Sequence, residues 1–144
     1  MAAPPLEEKS LDEIRESFAF FDDWEDRYKF IIDLGRGIPP MADALKIDAN
    51  IVRGCQSQVW IDHRLEDGRL YFTLDSDAMI VRGLIAIVLA AFDGRTPMAI
   101  LTYDIDGLFA DLDLLRHLSP TRGNGLAALV RRIRDIATET PGTA

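Results

Sequence analysis

Cysteine is the scarcest reactive residue of this chain: its 144 residues contain one, Cys55. One thiol cannot close an internal disulfide, so nothing in the sequence indicates an oxidising compartment. A four-thiolate zinc site, or an iron–sulfur cluster held by this chain alone, is excluded for the same reason. The two histidines, His63 and His117, do not form a pair at the helical spacing that would suggest a metal site. We therefore expect the chain to need no metal and no cofactor of its own.

Positive charge is also in short supply, with 16 Lys and Arg against 24 Asp and Glu and a net charge of −8. This balance opposes nucleic-acid binding, which depends on neutralising phosphates. It is compatible with a basic protein partner, and it also keeps many proteins soluble. The sequence has no glycine-rich phosphate loop either, since Gly123-Asn124-Gly125 is too short to form one.

A long hydrophobic run is missing as well. The most apolar stretch, Ala78 to Phe92, has 13 apolar residues of 15 and contains Arg82, whereas a membrane span needs about 20 apolar residues. Residues 1–9 lack the basic start and the apolar centre of a signal peptide. The sequence therefore predicts a cytoplasmic protein with no membrane partner.

Two helices and a long connection are predicted in the first third of the chain. Ser10 and Glu13 have the spacing of a capping box, which predicts a helix from Ser10 onward. Asp23 is suited to cap a second helix that ends near Gly35. Residues 39–56 then predict a connection with at most a short turn around Met41–Leu45. Because long connections in compact domains are often functional, this one is a candidate site.

A β-hairpin follows the connection. Residues 59–65 and 70–74 alternate between apolar and other side chains, which is typical of strands. Asp67-Gly68 between them is the preferred two-residue hairpin turn. This turn would place Glu66 opposite Arg69, which is a favourable cross-strand pair.

The remainder predicts helices. Asp75-Ser76-Asp77 would cap a buried helix over Ala78–Phe92, and Thr96-Pro97 and Ser119-Pro120 are typical starts of two further helices. A short helix and a turn are predicted between residues 104 and 115. The order predicts an α+β fold, with an antiparallel β-sheet that is built on a hairpin and covered by helices on one face. We expect a mobile leader over 1–9, a single domain over 10–138 and a frayed tail over 139–144.

The lone thiol lies between the long connection and the hairpin, in the run Gly54-Cys55-Gln56-Ser57-Gln58-Val59-Trp60. Its polar neighbours indicate a loop rather than a core position. Gly54 permits unusual backbone angles, and Arg53 beside it would favour the reactive thiolate. The plain alternative is a buried, inert thiol.

Two other constellations stay open at this point. Cys55 could pair with His63 or His117 as a nucleophile, since neighbours in space need not be neighbours in sequence. Asp75 and Asp77 could serve as acid–base groups, although helix capping explains them more simply.

The cysteine run resembles the signature of the SufE family, the sulfur-acceptor proteins that work with cysteine desulfurases. The resemblance extends from about Phe18 to Ala137 and includes three further stretches in the same order. These stretches are Trp24-Glu25-Asp26-Arg27-Tyr28 with Ile31-Ile32-Asp33-Leu34-Gly35, Asp75-Ser76-Asp77-Ala78 through Gly83-Leu84-Ile85-Ala86, and His117-Leu118-Ser119-Pro120-Thr121-Arg122-Gly123-Asn124-Gly125-Leu126.

The resemblance implies an α+β fold like that of IscU-type iron–sulfur scaffolds, although this chain lacks the three cysteines of those scaffolds. It implies that Cys55 is a persulfide carrier. Gly54, Gln56 and Ser57 would then support the cysteine loop. Asp77 and Arg122 match positions where the family has loop-control or partner-interaction residues.

The resemblance also implies partners. A pyridoxal-phosphate cysteine desulfurase, SufS-like or CsdA-like, would donate sulfur to Cys55 and be stimulated by this protein. A scaffold complex of the SufBCD type would receive the sulfur for iron–sulfur cluster assembly. The sequence leaves the choice of desulfurase open, and the protein is not expected to be an enzyme on its own.

Two rival interpretations remain. The first is a single-cysteine thiol enzyme of the peroxidase type, which needs a thiol of low pKa and no protein partner. The second is a regulator that binds a desulfurase and never carries sulfur.

Overall fold

Along the chain, a two-stranded antiparallel hairpin lies between two groups of helices. The computed structural model describes residues 6–140, so residues 1–5 of the predicted leader and 141–144 of the predicted tail lie outside the described residues. The elements are α1 (Leu6–Phe20), α2 (Trp24–Arg36), 3-10 turns at Asp43–Leu45 and Asp48–Asn50, β1 (Val59–Glu66), β2 (Arg69–Ser76), α3 (Met79–Phe92), α4 (Pro97–Thr102), α5 (Ile105–Asp111), a 3-10 turn at Leu115–His117, and α6 (Pro120–Glu139).

The first helix is longer than predicted. It begins at Leu6, four residues before Ser10, because the residues from Leu6 to Lys9 are ordinary helix formers and continue the helix through the predicted boundary. The cap of α2 is confirmed, since the Asp23 carboxylate accepts a hydrogen bond from the Asp26 amide at 2.9 Å.

The hairpin has the predicted register, with Glu66 opposite Arg69. Asp67 and Gly68 have φ of +52° and +77°, which are the positive angles that the preferred two-residue turn requires. The alternation predicted for β1 is wrong as a burial pattern: Val59, Trp60 and Ile61 are all buried, and the residues from His63 to Glu66 are exposed. Strand β1 is covered on both faces only at its start, whereas Leu70 of β2, next to the turn, is fully buried.

Helix α3 is the central element of the fold. It packs against α1, α2, β2 and α6, which confirms that the predicted buried helix lies against the hairpin. Glycines make its closest approach possible: a Cβ on Gly83 would lie 2.1 Å from the Ile31 carbonyl oxygen, and one on Gly35 would lie 2.6 Å from the Gly83 nitrogen. The backbones of α2 and α3 are therefore in direct contact.

The predicted cap of α3 is wrong. The helix begins at Met79 after Ala78, and no side chain caps it. Strand β2 continues to Ser76, so Asp75 lies within the strand and Asp77 in the bend that follows. Both carboxylates have other partners, described below. At the remaining helices the predicted starts are confirmed, because Thr96 and Ser119 each accept a hydrogen bond from the backbone three residues ahead.

One apolar core joins the helices and the hairpin. Its fully buried large side chains are Phe92, Ile31, Ile61, Leu70, Leu74, Ile85, Ile87, Ile100, Ile105, Leu108, Leu112 and Leu114. Within residues 6–140, none of the helices has both the length and the apolar character that crossing a membrane demands. The architecture is thus the predicted α+β arrangement of a hairpin with helices packed on it.

Candidate functional site

A short closed loop holds the cysteine. The Val52 amide donates to the Val59 carbonyl at 2.8 Å, and Ile51 bridges to Trp60. These bonds join the two ends of the loop, so that residues 53–58, hereafter the cysteine loop, form a separate unit. The chain reverses at Arg53-Gly54, where Gly54 has φ of +96°. Side chains rarely adopt this angle, which gives Gly54 a specific backbone role.

The Cys55 side chain points toward α6 rather than into solvent. It is half-buried, and its thiol makes a weak hydrogen bond to the Gly125 carbonyl at 3.5 Å. A Cβ on Gly125 would lie 3.4 Å from the sulfur, so the absent side chain at Gly125 provides room for the thiol. Burial raises the pKa of the Cys55 thiol.

The resting thiol is therefore more protonated than a free one. Arg53 is exposed, and the direction of the pKa shift is set by burial. The expectation that Arg53 would favour the thiolate is wrong for this closed conformation. A thiol of low pKa needs a cation close enough to outweigh burial, whereas burial is the cause of the raised pKa of Cys55.

A pocket of ≈ 250 Å³ opens beside the thiol. The cysteine loop forms one wall through Cys55, Gln56 and Ser57, and apolar side chains of α3 and α6 line the interior. The first turn of α6 forms the opposite rim, with Thr121 and Arg122. The arrangement can shelter a sulfur atom against apolar groups while its opening faces the protein surface.

The structure places the remaining predicted residues around this pocket. Gln56 is exposed and Ser57 is half-buried. Asp77 anchors the far end of the loop, because its carboxylate accepts from the Gln58 amide at 3.1 Å and its own amide donates to the Gln58 carbonyl at 3.3 Å. Asp77 therefore fixes the end of the cysteine loop and does not cap α3 as predicted.

Arg122 lies on the exposed rim of the pocket. Its guanidinium donates to the Tyr28 hydroxyl at 3.1 Å, which links α6 to α2. Tyr28 is half-buried, with its hydroxyl at this rim. The six predicted site residues thus belong to the cysteine loop, its anchor or the pocket rim.

The histidines lie elsewhere. His63 is on the exposed part of β1, opposite Phe72. His117 stacks on Trp24 with ring centroids 4.0 Å apart. Neither lines the pocket, so the structure provides no cysteine–histidine pair. The described residues also contain no group of three or more His, Cys, Asp or Glu that could hold a metal ion.

Asp75 is a buried structural carboxylate with 3% of its surface exposed. Its partners are the Arg82 guanidinium, the Met41 and Ser76 amides and, at 3.6 Å, the Lys46 ammonium. Burial opposes ionisation, but the two amides and the two cations outweigh it and lower the pKa of Asp75. Both cap and acid–base interpretations of Asp75 are therefore wrong: it joins β2, α3 and the 38–46 segment.

Two contacts of the site were not predicted. Gly125 faces the thiol, and Ala128, one turn further along α6, lies 3.1 Å from a Cβ built on Gly54. A glycine within a helical stretch is a weak signal of close backbone approach. Its partner, 70 residues away, could not be read from the sequence.

Comparisons with known proteins identify the family of the chain. The sequence model of the family SufE, described as "Fe-S metabolism associated domain", matches residues 12–137. An uncharacterised SufE-like protein of Rhizobium meliloti is 46% identical over 132 residues, covering 89% of this chain and 94% of the relative. Another from Rhizobium etli is 45% identical, with 89% of each chain covered.

A solved structure supports the fold independently. The solution structure of a hypothetical protein from Thermus thermophilus superposes with a TM-score of 0.71 and covers 96% of this chain and 97% of its own, at 18% identity. At that identity the likeness concerns the fold. The family match spans nearly all of the described residues, and two relatives share close to half of their aligned positions with this chain. The chain belongs to the SufE family, whose domain is associated with iron–sulfur metabolism.

Proposed function

We propose that this protein accepts sulfur from a cysteine desulfurase onto Cys55, stimulates that enzyme, and passes the sulfur to an iron–sulfur scaffold complex. The donor would be SufS-like or CsdA-like and the recipient SufBCD-like. The observation that carries the proposal is the placement of the chain's one cysteine: Cys55 sits on a pinned loop, beside an apolar pocket of ≈ 250 Å³.

The chemistry needs few groups. The Cys55 thiolate attacks the terminal sulfur of a persulfide on the donor enzyme, in a reaction analogous to thiol–disulfide exchange. A new sulfur–sulfur bond forms at Cys55 as the bond to the donor cysteine breaks, and that cysteine leaves as a thiolate. No electrons are gained or lost overall, so the carrier needs no redox cofactor.

The closed loop suits a carrier better than a free-standing thiol enzyme. Burial raises the pKa of Cys55, which slows its reaction with small oxidants in solution. A peroxidase of one cysteine would need the opposite shift. A partner that draws the loop out would expose the thiol to water and remove the cause of the raised pKa.

The direct test is mass spectrometry of the protein after incubation with a desulfurase and free cysteine. We expect added sulfur on the wild type and none on Cys55→Ser, whose secondary structure and unfolding temperature should match the wild type. The substitution is nearly isosteric and lies in a loop. Sulfur retained on the serine variant would overturn the carrier role, because the chain has no other thiol.

The same variant separates a carrier from a pure regulator. A carrier requires the thiol for its stimulation of desulfurase turnover, whereas a regulator would still stimulate turnover as Cys55→Ser. Peroxide consumption by the isolated wild type, measured without any partner, would instead indicate the thiol enzyme.

A further inference from the structure

The cysteine loop and the segment before it lie along one face of α6. Cys55 contacts Gly125, and a Cβ on Gly54 would meet Ala128. Further back, the Arg132 guanidinium contacts the carbonyl oxygens of Ile51 and Ala49, each at 3.4 Å. The chain from 49 to 55 therefore runs antiparallel to the helix.

The helix residues involved are spaced for this contact. Gly125, Ala128 and Arg132 are separated by three and four positions, which places them on one helix face. The first two are small, so they let the cysteine loop approach the helix. Arg132 is the member of this face that forms hydrogen bonds through its side chain. It is half-buried.

Arg132 complements the anchor at the other end of the loop. Asp77 holds Gln58 on the outgoing side, and Arg132 holds Ile51 and Ala49 on the incoming side. The fork of a guanidinium can bond two carbonyl oxygens at once, which a lysine cannot do in the same geometry. Each end of the loop therefore has its own side-chain support.

We infer that Arg132 is a positioning residue for Cys55: by tying the Ala49–Ile51 segment to α6, it sets how often the cysteine loop opens and exposes the thiol. It touches neither the sulfur nor the pocket, and it acts through the loop base. Its consequence for sulfur transfer rests on the proposed function, but the opening itself is a property of the isolated protein.

The test is the rate of Cys55 alkylation by iodoacetamide in the isolated protein, under conditions where the open loop recloses faster than the exposed thiol is alkylated. Arg132→Met keeps a long apolar stem and removes both hydrogen bonds. We expect alkylation to become roughly three- to tenfold faster. This factor treats the two long bonds together as equivalent to about one ordinary hydrogen bond. The matched control is Arg131→Met, which makes the same charge change at the exposed neighbouring position and should leave the rate unchanged.

Two further measurements separate positioning from a general loss of stability. Local opening exposes little surface, so the alkylation rate of Arg132→Met should depend only weakly on low concentrations of urea, whereas global unfolding would depend on urea steeply. Amide exchange of Val52, whose hydrogen bond closes the loop base, should accelerate in the same variant. Arg132→Lys, which keeps the charge, should give an intermediate rate and serves if the methionine variant fails to fold.

Equal alkylation rates for wild type, Arg131→Met and the Arg132 variants would overturn the inference. So would an acceleration that is steeply urea-dependent, because it would arise from global unfolding. Neither outcome involves a desulfurase, and failure of sulfur acceptance in the earlier experiment would leave this result standing. The two proposals can therefore fail separately.

Discussion

Gly54 has a backbone angle that the closed loop imposes. Its φ of +96° is unfavourable for any residue with a Cβ, and the nearby Ala128 methyl leaves little space. Gly54→Ala should therefore strain the closed loop by about 1–2 kcal/mol, and opening would relieve that strain. We expect alkylation of Cys55 to accelerate by roughly five- to thirtyfold.

Gly68→Ala provides the control for Gly54→Ala. Gly68 also has positive φ, at +77°, but lies at the hairpin tip with no atom within 4 Å of a built Cβ. Gly68→Ala should lower the stability of the protein by a comparable amount and leave the alkylation rate of Cys55 unchanged. Equal alkylation of Gly54→Ala and wild type would show that this angle does not hold the thiol in place.

Arg122 is exposed and makes one side-chain hydrogen bond, to Tyr28. Arg122→Ala should slow sulfur transfer from a desulfurase by roughly tenfold, as removal of a rim charge slows association. Stability should change by less than about 0.5 kcal/mol, as expected for a surface substitution. Single-turnover transfer kinetics and urea unfolding measure the two effects.

Tyr28→Phe distinguishes the two ways in which Arg122 could act. This variant removes the hydrogen bond and keeps the guanidinium. If it slows transfer as much as Arg122→Ala does, the bond positions the rim; if it does not, the guanidinium meets the partner directly. If Arg122→Ala transfers sulfur at the wild-type rate, Arg122 is an ordinary surface residue with no part in transfer.

At the scale of elements, Asp75 joins β2, α3 and the segment that leads from α2. Removing its charge leaves Arg82, which is 24% exposed, without its carboxylate partner. Asp75→Asn should cost about 2–4 kcal/mol, since breaking a buried pair is expensive. Urea unfolding at pH 7 measures this cost. Asp43→Asn removes a fully exposed carboxylate beside the same Lys46 and should cost almost nothing.

The cost of Asp75→Asn should depend on pH in a defined direction. The folded protein lowers the pKa of Asp75, while the unfolded chain has an ordinary value of about 3.9. The stabilisation by this carboxylate is therefore complete above the unfolded pKa and is lost as the pH falls through the folded value. The difference between wild type and variant should be constant from pH 7 to about 5 and shrink below about 4. A difference that does not shrink would contradict the pKa direction.

At the scale of the whole molecule, the protected thiol predicts that docking controls reactivity. A desulfurase whose own catalytic cysteine has been replaced should accelerate alkylation of Cys55 if it binds the open loop more tightly than the closed one. Each 1.4 kcal/mol by which the desulfurase prefers the open loop raises the ratio of open to closed loop about tenfold. An unrelated protein at equal concentration is the control. Fast labelling of the free protein, with no acceleration by the partner, would show that docking does not control exposure.

Local signals were sufficient for much of the fold. The turn at Asp67-Gly68 and the caps at Asp23, Thr96 and Ser119 depend on residues within three positions, and the structure confirms each. The position of the thiol in a loop before β1 also follows from its immediate neighbours. These features are fixed by turn geometry and by the backbone amides at helix starts, which act over short stretches of chain.

Long-range contacts explain what the sequence could not predict. Asp75 looked like a helix cap because its partners Met41 and Lys46 are 34 and 29 positions away. The contact between Cys55 and Gly125 spans 70 positions. The burial of Trp60 depends on a segment folded over the hairpin base, with Lys46 above its ring. Each is decided by packing between elements.

The hydrogen bond between Val52 and Val59 limits how far the sulfur can travel. Cys55 lies three positions after Val52, and three steps of fully extended chain span at most about 11 Å. If the loop base stays closed during docking, Cys55 can move no further than that distance from Val52 and cannot reach a distant donor. The donor must then bring its persulfide almost to the surface of this protein. A desulfurase whose reactive cysteine lies deep in a cleft would need a mobile arm of its own to meet it.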